Sequence, residues 1–283
     1  MKRSLLLLFS ILFTVICVNA QTEEVVLRPV TASYTVGSGS SHLADTYLSP
    51  INYNGWSTSL NYDRWQAMKF NPEAWVMNLS FGFDIDRVLN QSGNAVMWSA
   101  GVRASWGMLH RWNVAKGLKL GIGPAVNLDL GCLYLDRNSN NPVAAKAAFT
   151  VGASAYAAYN FRLRRLPVTL MWQPSLPVVG AFFSPDYGEL YYEIYLGNHG
   201  GLAHCAWWGN YFNLDNLVSA DFHFGATSLR AGYRGRILSS KVNHLVSNHF
   251  THQFVIGLSG EWLSLNPRKV ISPKAKRYNA LFE

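Results

Sequence analysis

The chain is short of charge. Asp, Glu, Lys and Arg make up 14% of its 283 residues, against roughly a quarter in soluble domains. Intrinsic disorder needs high charge with low hydrophobicity, and a coiled coil needs Glu and Lys along its flanks; neither fits. Cysteine is scarce too. Apart from Cys17 in the N-terminal apolar stretch, there are only Cys132 and Cys205, too few for a disulfide scaffold and enough for one bridge. Beyond that stretch no run of 18 apolar residues occurs, so no transmembrane helix is expected. The formal net charge is +8, but the positives form no dense block of the kind that binds nucleic acid.

What the chain has is rings and glycine: 15 Phe, 14 Tyr, 10 Trp and 23 Gly. Such a surface must be hidden from water. The first twenty residues read as a signal peptide. Lys2 and Arg3 form a positive start, Leu5 to Val18 is apolar, and Val18-Asn19-Ala20 offers a cleavage site, so the mature chain is expected to begin at Gln21. A lipoprotein reading at Cys17 is disfavoured by Ile16, where a small residue is needed.

The rest alternates with period two. Trp75, Met77, Leu79, Phe81, Phe83 and Ile85 are separated by Val76, Asn78, Ser80, Gly82 and Asp84. Val96, Trp98, Ala100, Val102, Ala104, Trp106 and Met108 follow the same rule, as do the stretches 118–134 and 147–161. Alternation at two means strands with one apolar and one polar face. These strands are longer than the roughly 5 to 6 residues of a mean globular strand, and their polar faces carry Gly, Ser and Asn with few Lys or Glu. The pattern is inverted from that of a water-soluble sheet: apolar face to lipid, polar face to a narrow lumen. With export, it predicts an all-β fold, an antiparallel transmembrane β-barrel of a Gram-negative outer membrane. The competing reading is a secreted β-sandwich.

Weaker strands are expected near 29–37, 55–65, 168–176, 216–224, 227–238 and 250–263. The total is ten, with eight to twelve allowed, since 188–197 could hide another strand. The even count puts the short turns 66–73, 109–116, 163–167 and 225–226 on the periplasmic side and the loops 38–54, 87–94, 136–143, 177–215 and 239–249 outside. Trp65, Trp75, Trp106, Trp112 and Trp262 then fall at periplasmic strand ends, as an aromatic girdle would require. A basic tail, residues 264–283, follows the barrel. Arg162, Arg164, Arg165, Arg268, Lys269, Lys274, Lys276 and Arg277 gather on that side, and the rest of the mature chain is nearly neutral. The expected partner is outer-membrane lipid. The tail is either simply solvated or touches peptidoglycan or a periplasmic protein.

Charges on the polar face must be paired in a confined lumen. Arg103, Asp129, Asp221, Arg230, Arg234, Arg236 and Glu261 are expected to form that network, with Asp63, Asp84 and Asp86 also inward. A two-residue turn at Gly225-Ala226 places Asp221 opposite Arg230 and predicts an ion pair. A lumen of this size is filled by side chains, whereas open channels come with about 16 to 18 strands. Of the eight histidines, His223 is the inward one beside Asp221 and is read as a hydrogen-bonding residue; His199, His204, His244 and His249 are placed on outer loops. No nucleophile with a base, no metal-ligand spacing and no cofactor motif stands out.

His42-Leu43-Ala44-Asp45-Thr46-Tyr47-Leu48-Ser49-Pro50, Phe183-Ser184-Pro185-Asp186-Tyr187-Gly188 with the following Tyr191 to Asn198, and Phe254-Val255-Ile256-Gly257-Leu258 resemble motifs of domain-of-unknown-function family 3316. Its members are exported proteins of Gram-negative bacteria. The resemblance implies a barrel and no activity, and the basic tail departs from it. The ring-rich loop carrying Tyr187, Tyr191, Tyr192, Glu193, Tyr195, Trp207 and Trp208 is expected to cap the lumen in preference to binding sugar or peptide, because apolar rings in water are costly. The expected role is structural or binding, with a capped lumen. A narrow solute channel comes second. A lipid-modifying enzyme comes third, and would need a Ser–His–acid or His–acid cluster at the outer rim.

Overall fold

The computed structural model describes residues 26–139, 141–225, 227–263 and 276–282. The signal segment and the tail residues Arg268, Lys269 and Lys274 lie outside them. Ten antiparallel strands close into a barrel: β1 (Val30–Asp45), β2 (Ser49–Ala67), β3 (Trp75–Asn90), β4 (Val96–Ala115), β5 (Leu118–Leu135), β6 (Val143–Leu163), β7 (Leu166–Phe183), β9 (Tyr211–Phe224), β10 (Thr227–Val242) and β11 (Leu245–Trp262). Pairing of β1 with β11, from Val30↔Trp262 to Asp45↔Ser247, seals the sheet. A short β8 (Ala203–Trp207) prolongs the line of β9: it pairs with Val179–Phe183 of β7, while β9 pairs with Val168–Ser175. Between them Pro177 can offer no N–H, and the Trp208 indole donates to its carbonyl at 2.5 Å.

Strands of 14 to 21 residues exceed the roughly 9 to 11 that cross a bilayer. The excess corrects the turn and loop boundaries at both ends: residues 109–115, expected as a periplasmic turn, continue β4. Residues 38–45 and 49–54, expected as loop, are strand, and the turn between β1 and β2 is only residues 46–48. His42, His204 and His249 are therefore on strands, not loops. The strand considered within 188–197 is instead a one-turn helix, α1 (Tyr191–Tyr195). Gly188 (φ +82°) and Gly197 (φ +107°) bracket it in left-handed conformations, and Glu193 accepts a hydrogen bond from the Leu190 N–H at 3.0 Å, so local capping overrides the β-propensity of its rings.

The barrel wall is apolar outside and polar inside. Phe254 is 80% exposed, Tyr34 62% and Ile256 60%, while the inward Thr31, Ser33, Ser57, Ser59 and Thr169 are buried. Among the five tryptophans assigned to the girdle, Trp106, Trp112 and Trp262 face outward and Trp75 is half-buried against Phe70 and His110. Trp65 is a correction. It is 1% exposed and points into the lumen, edge-on to Tyr156 at 5.1 Å. It shares the parity of the inward Asp63, and two residues along a strand means the same face.

Candidate functional site in the barrel lumen

The lumen is layered. At the outer end inward Leu43, Tyr53, Val88, Met97, Leu133 and Leu135 form an apolar cluster. In the middle lies an ionic lattice. At the periplasmic end Trp65, Val76, Leu109, Tyr156 and Met171 pack around Ala280 and Leu281 of the tail.

The lattice crosses from wall to wall. Arg103 forks onto Asp84, with Nε to Oδ2 at 2.7 Å and Nη2 to Oδ1 at 2.9 Å, and its Nη1 reaches Asp215 at 2.9 Å. Arg234 forks onto Asp215 at 2.8 and 2.5 Å and donates to Asn61 at 2.5 Å. Arg236 donates to Asp129 at 2.5 Å and to Asn213 at 3.2 Å. Three cations meet three anions, and these charge-assisted pairs satisfy one another. Gly82 makes the room: a Cβ there would lie 2.8 Å from Nη2 of Arg103.

Nearer the periplasm, Arg230 and Asp221 are opposed in register. They form a second fork at 2.8 and 2.7 Å, both side chains buried, supported by Ser33 at 2.8 Å and Ser259 at 3.0 Å. Glu261 stands apart from the lattice, at the periplasmic mouth, where it pairs with Arg277 of the tail. His223 is at the same level, hydrogen-bonded to Thr169 at 2.8 Å and Ser228 at 2.6 Å. Asp63 is buried in the lumen.

Residues 276–282 enter this mouth, beside a cavity of about 750 Å³ lined by His223, Glu261 and Phe282. Leu27 pairs with Arg277 as a parallel bridge. Arg111 donates to the carbonyls of Asn279 (2.6 Å) and Ala280 (3.3 Å), Asn160 to that of Leu281 (3.0 Å), and Lys119 to that of Phe282. The Phe282 ring meets His223 edge-on at 4.6 Å. This stretch of the basic tail is folded into the barrel.

At the outer end only part of the ring-rich loop reaches the lumen. The Tyr191 hydroxyl accepts from the Ala145 N–H at 2.5 Å and its ring meets Tyr47 edge-on at 5.9 Å, while Tyr47 donates to the Glu189 carbonyl at 2.7 Å. Burial pushes the Tyr191 phenol up to about 12 and raises that of Tyr47. Tyr187, Tyr192, Tyr195, Trp207 and Trp208 are exposed, and Glu193 caps its own helix.

Between loop and lattice is a cavity of about 100 Å³, with Arg103, Asp129 and Arg236 in its floor and Leu43, Phe182, Leu238 and His249 in its walls. The same three charged residues line a polar cavity of about 60 Å³ below, so the lattice divides the lumen. In the upper wall His249 Nε2 lies 3.0 Å from Asp86 Oδ2 and 3.2 Å from Ser41 Oγ. Asp86 and Ser41 are fully buried. Cys132 and Cys205 are both free. Among the described residues, no group of three or more His, Cys, Asp or Glu could hold a metal ion.

Asp215, Asn61, Asn213, Arg111 and the Asp86–His249 contact are absent from the sequence-derived set. Parity could have found Asp215, since it lies six residues before Asp221, and His249, four before the inward Gln253. Both were lost because the strands were ended too early. The Arg111 contacts depend on where the tail folds, and nothing local encodes that.

Comparison with known proteins places the chain in a family and assigns it no activity. A family model described as a protein of unknown function (DUF3316) matches residues 5–269. No curated protein matches the sequence. Among solved structures, the outer membrane protease OmpT from Escherichia coli superposes with a TM-score of 0.48 at 6% identity, covering 83% of this chain and 97% of that one. The translocator domain of the autotransporter NalP from Neisseria meningitidis gives 0.38 at 8% identity, covering 88% and 92%.

Proposed function

The chain belongs to the DUF3316 family of proteins of unknown function, and we propose that it is an outer-membrane barrel that binds a small ligand in an outward-facing cavity and does not conduct solutes. The observation that carries this reading is the double closure of the lumen. The Arg103–Asp84–Asp215–Arg234 lattice spans the middle, and residues 276–282 pack against the apolar cluster inside the periplasmic mouth. Above the lattice the cavity is bounded by Tyr47 and Pro185 of the outer connections and by Val246 near the start of β11, the side from which a ligand would enter. The exposed apolar wall supports a lipid setting, because rings such as Phe254 and Tyr34 left in water would drive aggregation. Export through the N-terminal signal completes the route to the outer membrane. N-terminal sequencing of protein taken from that membrane should begin at Gln21.

The deciding measurement is conductance of the purified protein in planar bilayers. Currents at the noise floor are expected. Steady conductance comparable to that of a large porin would overturn the reading in favour of a channel.

A further inference from the structure

The outer cavity has in its wall a ring nitrogen with no hydrogen-bond partner among the described residues. Its charges are spent on one another: Lys146 on Asp45 at 2.5 Å, Arg103 on Asp84 and Asp215, Arg236 on Asp129. His249 is different. Its Nε2 is engaged by Asp86 and Ser41, whereas Nδ1 has no hydrogen-bond partner among the described residues. Asp86 is the second anomaly. It is 0% exposed, and neither of its oxygens accepts a well-directed hydrogen bond from any described residue. A buried carboxylate is costly unless something is gained by it. What it has beside it is the imidazole: the 3.0 Å contact with Asp86 and the Ser41 hydrogen bond both fall on Nε2 and leave Nδ1 as the ring nitrogen without a partner. His249 itself lines the cavity.

The dyad is assembled by curvature. His249 is on β11 and Asp86 on β3, with β1 and β2 between them. The intervening strands carry Gly39, Gly55 and Ser57 at this level. A Cβ on Gly39 would lie 1.9 Å from the His252 carbonyl, and one on Gly55 2.1 Å from that of Arg87, so the wall is drawn in closely enough for the ring to reach across.

Resting on the binding reading above, we propose that this cavity takes an uncharged hydroxyl-bearing ligand with a small apolar body, of the phenol or short-chain alcohol class. The hydroxyl would donate to Nδ1 of His249, held in place by Asp86. A charged ligand would find no free counter-charge, since the cavity's ions already satisfy each other. The apolar walls of Leu43, Leu133, Phe182, Leu238 and Leu245 suit a ring or short chain. The cavity of about 100 Å³ is smaller than the roughly 150 Å³ apolar cavity that accommodates benzene, so it admits at most one small ring or a short chain and excludes a folded peptide.

The test uses the full mature protein in nanodiscs with ¹⁵N-labelled histidine, titrated with phenol, anisole and benzoate. Phenol should shift the His249 ring nitrogens saturably. Anisole, which lacks the donor, should bind about tenfold more weakly, the worth of one net hydrogen bond, and benzoate should leave the ring signals unmoved. His249→Phe, which keeps the ring volume, should abolish discrimination between phenol and anisole. Asp86→Asn should weaken phenol binding while His42→Gln does not. Retained heat-modifiable gel mobility would confirm that each variant is folded. Equal responses to phenol and anisole, or undiminished phenol binding by the folded His249→Phe protein, would sink the assignment. Conductance on the same samples separates the two failures: a closed barrel with a silent His249 overturns this ligand class alone, and an open one overturns the binding reading as well.

Discussion

A single residue matters in this barrel according to which face its position selects and what it meets there. Arg230 and Asp221 are 1% and 0% exposed, and each is the other's main compensation. Arg230→Ala would leave a buried carboxylate unpaired and should cost about 3 to 5 kcal/mol. Arg230→Met with Asp221→Leu should recover most of that loss, measured as unfolding midpoints in urea on protein refolded into lipid. Trp65→Ala opens a hole between Tyr156 and the tail, and should cost about 3 to 5 kcal/mol in the same assay. Both positions were legible in the sequence, in different degrees. Asp221 opposite Arg230 followed from the two-residue spacing of the hairpin. Trp65 shared its face with Asp63, but its ring suggested a girdle; parity outranks residue type, because the pleat sets the side before chemistry acts.

The outer loop and the tail are the elements whose behaviour should be measured. Tyr191 docks the loop on the rim as a neutral phenol, with a value raised to about 12 from the ordinary 10.0. A raised value means stability that is complete below the ordinary one and lost as pH climbs through the folded one. The loop should therefore undock between about pH 10 and 12, with phenolate absorbance and protease cleavage within 184–202 rising together. Tyr191→Phe should remove that pH window. At the other end, deleting residues 276–283 leaves Arg111 and Lys119 without the tail carbonyls they now hold. Arg111 keeps the carbonyls of Pro72 and Glu73, so each hydrogen bond lost should cost about 0.5 to 1.5 kcal/mol. Conductance should nonetheless stay low, because the lattice still bars the way. Only the same deletion combined with Arg234→Ala and Arg236→Ala should give a steady current in a planar bilayer. Element existence was legible for all ten barrel strands. Their limits were not: β4 runs through 109–115, expected as turn, and at the outer end the inward face becomes apolar, with Leu43, Val88 and Leu133, and the alternation blurs. Helix α1 escaped because five residues bracketed by glycines are decided by capping, not by the propensity of Tyr and Ile.

For the molecule as a whole, the sequence by itself determined the inside-out alternation, the even strand count and the nearly neutral barrel. Each is a local or summed property, and closing a sheet whose apolar face meets lipid follows from them, since open edges cannot survive in hydrocarbon. Only the tertiary structure decided which charges meet across the lumen. Arg103 is opposed in register to Asp129 yet binds Asp84 and Asp215, and Arg236 is opposed to Asp215 yet reaches Asp129. It alone also brought His249 to Asp86 across two strands, and folded residues 276–282 into the mouth. The reason is geometric. Pairing along neighbouring strands is set by turns a few residues long, whereas contacts across the lumen depend on the radius of the closed ring and on the glycines that let walls approach. Those distances exist only once the first strand has met the last.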